Sequence, residues 1–186
     1  MGAAIAAPGL LSATTKAKLV AGAAPHKLSP PGPVRLASVP INPDLQGRTL
    51  EPTPPYLVGR EKIREFSRAV FATNPVNLDP QAAQSAGYAD VVAPTTFPIV
   101  VQQLTLDQLL ALPHAGIDFS RVVHGDQRFS YTRPIVAGDE LTGRLTVTSI
   151  KSLGGNSMIT AETVVTDAAG EHVVTATSTL VVRAED

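Results

Sequence analysis

A change of period at Pro113 constrains the fold of this chain more than any other feature. Before it, from Thr95 to Leu112, the apolar residues Phe97, Ile99, Val100, Val101, Leu104, Leu106, Leu109 and Leu110 recur too densely for a single amphipathic stripe. That density predicts a long helix covered on most of its sides. After Pro113 the period is two. Arg128-Phe129-Ser130-Tyr131-Thr132 alternates, and Leu141–Ile150, Met158–Thr166 and His172–Val182 are strand-like runs rich in β-branched residues. Gly154-Gly155-Asn156 and Asp167-Ala168-Ala169-Gly170 mark tight connections between them. Upstream, Tyr56-Leu57-Val58 is expected to form a short strand. Arg60 to Phe71 is expected to form a helix, with Ile63, Phe66, Val70 and Phe71 on its apolar face and Arg60, Glu61, Arg64 and Arg68 opposite. Helices first and a meander of long strands afterwards predict an α+β domain with an antiparallel sheet of about five strands.

Composition narrows the function. At 186 residues, 44% hydrophobic and 17% charged, the chain holds one globular domain, assigned to residues 42–186, with an appendage at 1–41. A formal charge of −1 gives no electrostatic case for nucleic acid or an anionic membrane. There are no cysteines, which excludes disulfides and thiolate chemistry. Four scattered histidines without a carboxylate cluster give no metal-site spacing, so neither a metal nor another cofactor is expected. No run is long and apolar enough to span a bilayer, and a cytoplasmic protein is expected. Residues 1–41 contain no acidic residue and lack a secretory pattern. Ala6 stands where myristoylation of Gly2 would need serine or threonine. The expectation there is a disordered extension or a start codon placed too far upstream.

The most informative stretch is 69–98. Asn74-Pro75 breaks the preceding helix. Asp79-Pro80 reads as an N-cap with proline at the first helical position, and Gly87 as the end of that short helix. Ala93-Pro94 is a second break before Thr95 and Thr96 open the apolar helix. Two helix starts, with free amides, therefore flank an irregular loop.

This stretch resembles the motif of R-specific enoyl-thioester hydratases and MaoC-like dehydratases, Gly-Asp-x-Asn-Pro-x-His-x-Asp-Pro, followed by Ala-Gly-Phe/Tyr and Ala-Pro-Gly. Asn74-Pro75, Asp79-Pro80, Ala86-Gly87-Tyr88 and Ala93-Pro94 are present. Val58-Gly59-Arg60-Glu61-Lys62-Ile63-Arg64-Glu65-Phe66 resembles the start of the HadA-type and MaoC N-terminal-type subfamily. Val123-His124-Gly125-Asp126-Gln127 and Arg133-Pro134-Ile135-Val136-Ala137-Gly138-Asp139 are similar to segments of the non-catalytic half of fused hydratases. The resemblance implies a single hot-dog fold, a long helix wrapped by a sheet, and action on acyl thioesters.

The departures fall where the chemistry sits. The pattern's aspartate falls on Ala72, its histidine on Asn77, and the glycine after Ala-Pro on Thr95. Dehydrating a 3-hydroxyacyl thioester needs a base for the C2 proton and an acid for the leaving hydroxyl. A methyl group and an amide supply neither. No catalytic residue is therefore assigned. The resemblance implies a non-catalytic subunit paired with a catalytic, HadB-like hot-dog chain, or else a homodimer that binds acyl-CoA or acyl-ACP without turnover; a thioesterase is the third reading. The substrate-binding candidates are Asn77, Thr95, Thr96, Val101, His124 and Gly125. Val101 is read first as core, with an acyl groove as the other role. For His124 two roles stand open: a hydrogen bond to the thioester arm or the partner subunit, or satisfaction of backbone groups at the start of a strand, with Gly125 permitting an unusual φ.

Overall fold

The computed structural model describes residues 41–183, so the expectation for the N-terminal extension lies outside the described residues, save for Ile41. The elements are β1 (Tyr56–Leu57), α1 (Arg60–Ala69), α2 (Pro80–Ser85), α3 (Ile99–Leu110), β2 (Val122–Tyr131), β3 (Glu140–Leu153), β4 (Asn156–Thr166) and β5 (His172–Val182). Short 3-10 turns at Pro43–Leu45, Pro75–Asn77 and Phe119–Arg121 link them. One five-stranded sheet in the order β1-β3-β4-β5-β2 carries α3 on its inner face, and every pairing is antiparallel. This is the hot-dog arrangement.

The meander forms where local chemistry demands it. Gly154 and Gly155 both take positive φ, 58° and 79°, as the two central residues of a tight hairpin between β3 and β4. At the next turn, Asp167 Oδ1 accepts from the amides of Ala169 and Glu171, both at 3.0 Å. On the inner face Leu141, Leu145, Val147, Ile159, Ala161, Val165, Val174 and Ala176 are buried, the expected period of two.

α3 lies very close to β3. Thr105 Oγ1 meets Thr163 Oγ1 at 2.9 Å beneath the helix. A Cβ built on Gly143 would stand 2.9 Å from Thr105 Cγ2 and 3.2 Å from Val101 Cγ1, so that strand position has room only for glycine. One apolar cluster gathers around the start of α3 (Val58, Ile63, Val91, Phe97, Val101, Leu141, Val174) and another around its end (Leu106, Leu109, Leu145, Ile159, Leu180). Phe66 of α1 meets Phe97 edge-on, with ring centroids 5.3 Å apart.

Several boundaries differ from expectation. α3 is four residues shorter at its start, because 94–97 is a separate turn closed by Phe97 N–H to Pro94 O at 2.8 Å. Its outer side is also less covered than the sequence implied: Leu104 is exposed, and Ile99 and Val100 are half-buried. β2 begins at Val122, earlier than the visible alternation, because a bulge at Gly125 hides the period. α1 stops at Ala69 rather than Phe71. There Ala72 N–H bonds Ser67 O and Phe71 N–H bonds Arg68 O, the double closure of a Schellman turn, with Phe71 in the left-handed region at φ 57°. A residue with a side chain in that region costs about 1–2 kcal/mol.

Three carboxylates add to the acid sensitivity of this fold: the hydroxyl and amide of Ser120 hold Asp118 below the usual range, and two arginines act on the others. The side-chain bonds of Arg60 hold Asp90 below the usual carboxylate range. Those of Arg133, which also bonds Asp139, do the same for Asp167. A depressed folded pKa contributes stability that is complete above the unfolded value, about 3.9, and is lost as pH falls through the folded value. The melting temperature should therefore drop as pH is lowered below about 4. Asp167→Asn should flatten that decline, and an equally steep decline in the variant would rule Asp167 out as a contributor.

Candidate functional site

The loop from Phe71 to Pro80 is built by prolines and capping side chains. Asn74 Oδ1 accepts from Val76 N–H at 3.2 Å, and Asp79 Oδ1 accepts from Gln81 N–H at 2.9 Å, which is the capping role read from Asp79-Pro80. Arg64 of α1 donates to Leu78 O at 2.8 Å and ties the loop to the helix.

Asn77 is buried, at 7% exposure, and its Nδ2 donates to Val92 O at 2.7 Å. Val92 N–H in turn donates to Val76 O at 2.9 Å. The position where the resemblance has its histidine therefore holds a side chain committed to the backbone of the segment before α3. Ala72, half-buried five residues earlier, presents a methyl group. Neither side chain can carry a proton, so the two positions where the resembled motif has its acid-base pair hold no acid or base.

Thr95 and Thr96 are both exposed at the turn that opens α3, and among the described residues their amides make no hydrogen bond. Two unbonded amides beside a helix start are suited to a carbonyl oxygen. The turn is fixed from the other side by Tyr131 of β2, whose hydroxyl donates to Thr95 O at 2.8 Å. Partial burial pushes the Tyr131 phenol well above its usual range, so it stays a donor. No local pattern signals Tyr131, because the link spans 36 residues.

Val101 is fully buried against Gly143, in the core as first read. His124 is exposed, and its Nε2 pairs with Gln127 Oε1 at 2.9 Å rather than with backbone groups. Gly125 has no positive φ. Glycine stands there because a Cβ at the bulge would lie 3.2 Å from Val181 Cγ2 and 3.3 Å from Thr179 O. The structure fastens Asn77 to Val92, three residues before Thr95 on the segment that leads into α3. It does not bring His124 to that segment, since His124 lies seven residues before Tyr131 along β2, roughly 23 Å at about 3.3 Å per residue.

Val70 and Phe71, both expected on the apolar face of α1, lie beyond its end and are 42% and 89% exposed. The available signal was the motif itself, whose glycine falls on Phe71.

A helix on a five-stranded antiparallel sheet, with an Asn-Pro/Asp-Pro loop beside the helix start, defines a hot-dog domain of the MaoC-like dehydratase class. Residues 45–176 match the FAS1-like dehydratase domain region, and the chain belongs to that family. It is 70% identical over 148 residues to a UPF0336 protein of Leifsonia xyli subsp. xyli, covering 80% of this chain and 99% of that one. A UPF0336 protein of Clavibacter michiganensis subsp. michiganensis is 66% identical over the same length and coverage. Among solved structures it is similar to a chain of the C-terminally truncated HadBC complex, a 3R-hydroxyacyl-ACP dehydratase of Mycobacterium tuberculosis. There the TM-score is 0.66 at 34% identity, over 74% of this chain and 97% of that chain. A MaoC-like dehydratase gives 0.68 at 37% identity, over 76% of this chain and 43% of that chain.

Proposed function

We propose that this chain is the non-catalytic, substrate-holding subunit of a heteromeric (R)-3-hydroxyacyl-thioester dehydratase. The observation that carries the reading is the state of the loop: Ala72 stands where an acid or base is needed, and the amide of Asn77 is taken up by Val92 O. The partner is a second hot-dog chain that carries the Asp/His pair, as the heteromeric HadBC relative supports.

The sheet supports the same reading. β2 is an edge strand of ten residues with no strand among the described residues on its outer side, and Val123 and Tyr131 on it are 44% and 37% exposed. A long open edge invites pairing with another strand. Antiparallel pairing of two such edges sets the start of one against the end of the other. His124 and Gly125 of this chain then lie beside the partner's helix start, where His124 has a donor for the thioester arm. Thr95 and Thr96 offer their amides to a thioester carbonyl on this chain's own side, and Asn77 shapes the wall behind them. The removal of the C2 proton and the protonation of the leaving hydroxyl both belong to the partner's Asp/His pair.

The test is turnover. The isolated chain should neither hydrate crotonyl-CoA nor dehydrate the R-3-hydroxy product. Mixed with a chain bearing the intact Asp-x-Asn-Pro-x-His motif, it should support turnover that disappears when that chain's Asp or His is replaced. A hydration rate for the isolated chain comparable with that of the pair would sink this reading. Inert binding of acyl-CoA by a stable homodimer would replace it with the binding-protein alternative.

A further inference from the structure

Phe71 combines two unfavourable features that the fold does not require. It holds a left-handed conformation (φ 57°) at the end of α1, where glycine would sit without strain, and it exposes 89% of an aromatic side chain to water. The Schellman closure around it, Ala72 N–H to Ser67 O at 2.8 Å and Phe71 N–H to Arg68 O at 3.3 Å, uses only backbone atoms and would be kept by glycine. Among the described residues the ring stacks on no other aromatic ring. Neither feature stabilises the isolated protomer. We propose that Phe71 is an anchor for the partner subunit: the backbone turn aims the ring out of this chain and into a recess on the second hot-dog chain.

This inference rests on the heteromeric reading above and names the residue that holds the pair together. The occupant follows from continuity. Phe71 immediately precedes Ala72 in the site loop. That loop is fixed to segment 91–93 by Asn77 Nδ2 to Val92 O and Val92 N–H to Val76 O. The segment leads to Thr95, whose carbonyl accepts from Tyr131 at the end of the open β2 edge. A chain that pairs with β2 therefore meets the end of the sheet to which the loop of Phe71 is fastened. Buried aromatic anchors carry a large share of the affinity of protein interfaces, and a phenylalanine has only two side-chain torsions to immobilise on docking.

The experiment uses the co-purified pair of this chain with an Asp/His-bearing hot-dog chain, diluted to measure its dissociation constant, together with thermal melting of this chain alone. Phe71→Gly should raise the melting temperature of the isolated chain by about 2–4 °C while weakening the pair by about tenfold or more. Phe71→Asn, which tolerates the left-handed turn without the ring, should weaken the pair equally. Binding that is unchanged in both variants overturns the anchor and leaves the heteromeric reading standing. A wild-type chain that forms no pair at all overturns that reading itself. Weaker binding accompanied by a lower melting temperature in both variants would show Phe71 to be structural, and would equally overturn the proposal.

Discussion

Gly143→Val is expected to destabilise the domain by about 3 kcal/mol through overpacking. At glycine the helix already rests against the strand: a single added Cβ meets Thr105 Cγ2 at 2.9 Å, Val101 Cγ1 at 3.2 Å and Thr163 Cγ2 at 3.4 Å. All three belong to fully buried side chains. None can swing into solvent, so α3 must lift off β3, and the Thr105–Thr163 hydroxyl bond is lost with it. The melting temperature should fall by roughly 6–12 °C, at about 2–4 °C per kcal/mol for a domain of this size. Gly59→Ala is the control. Its φ is −83° and nothing lies within 4 Å of a built Cβ, so the loss should stay within about 1 kcal/mol, the cost of alanine at the N-cap of α1. Equal losses in the two variants would show that α3 is not seated on Gly143.

The second large effect has the opposite sign. Gln102 lies on the buried side of α3 with 0% exposure, and among the described residues neither Nε2 nor Oε1 of its amide has a partner. A buried polar group without a partner costs about 1–3 kcal/mol. Gln102→Leu keeps nearly the same volume and removes both orphaned atoms. It is expected to stabilise the domain by about 2 kcal/mol, read as a higher urea midpoint with an unchanged m-value. A lower midpoint would mean that Gln102 is satisfied by internal water and that leucine leaves that water stranded.

What could be read in advance was what is local. β-Branched alternation, Gly-Gly at one turn and Asp-Ala-Ala-Gly at the next gave the meander, because strand period and turn chemistry act over a few residues. Asp79-Pro80 gave its cap for the same reason. That Ala72 and Asn77 stand at the two acid-base positions of the resembled motif is likewise read from the sequence alone. Long-range contacts were not legible. Asn77 reaches Val92 across 15 residues and Tyr131 reaches Thr95 across 36, and no periodicity records either. Gly125 looked like a residue needing unusual φ, but what it needs is clearance from Val181 on the neighbouring strand. Phe71 looked like part of a helix face because its spacing fits; the backbone turns left-handed one residue beyond the cap and takes the ring out of the core.

The residues before α1 do more than lead into the domain. Along the outer side of β3, Gly47 N–H bonds Val147 O, Leu50 N–H bonds Leu145 O, Thr53 N–H bonds Gly143 O, and Gln46 Oε1 accepts from Ile150 N–H at 3.0 Å. The prolines at 52, 54 and 55 then withhold amide hydrogens from anything approaching that side. A sheet sealed along one border and open along the other can be extended once. When a second chain of the same design joins through its own open border, both outer borders of the merged sheet are sealed ones. Under the proposed pairing, the covalent order of the chain would limit the merged sheet to two protomers, and a fibre of stacked protomers would have no strand on which to grow.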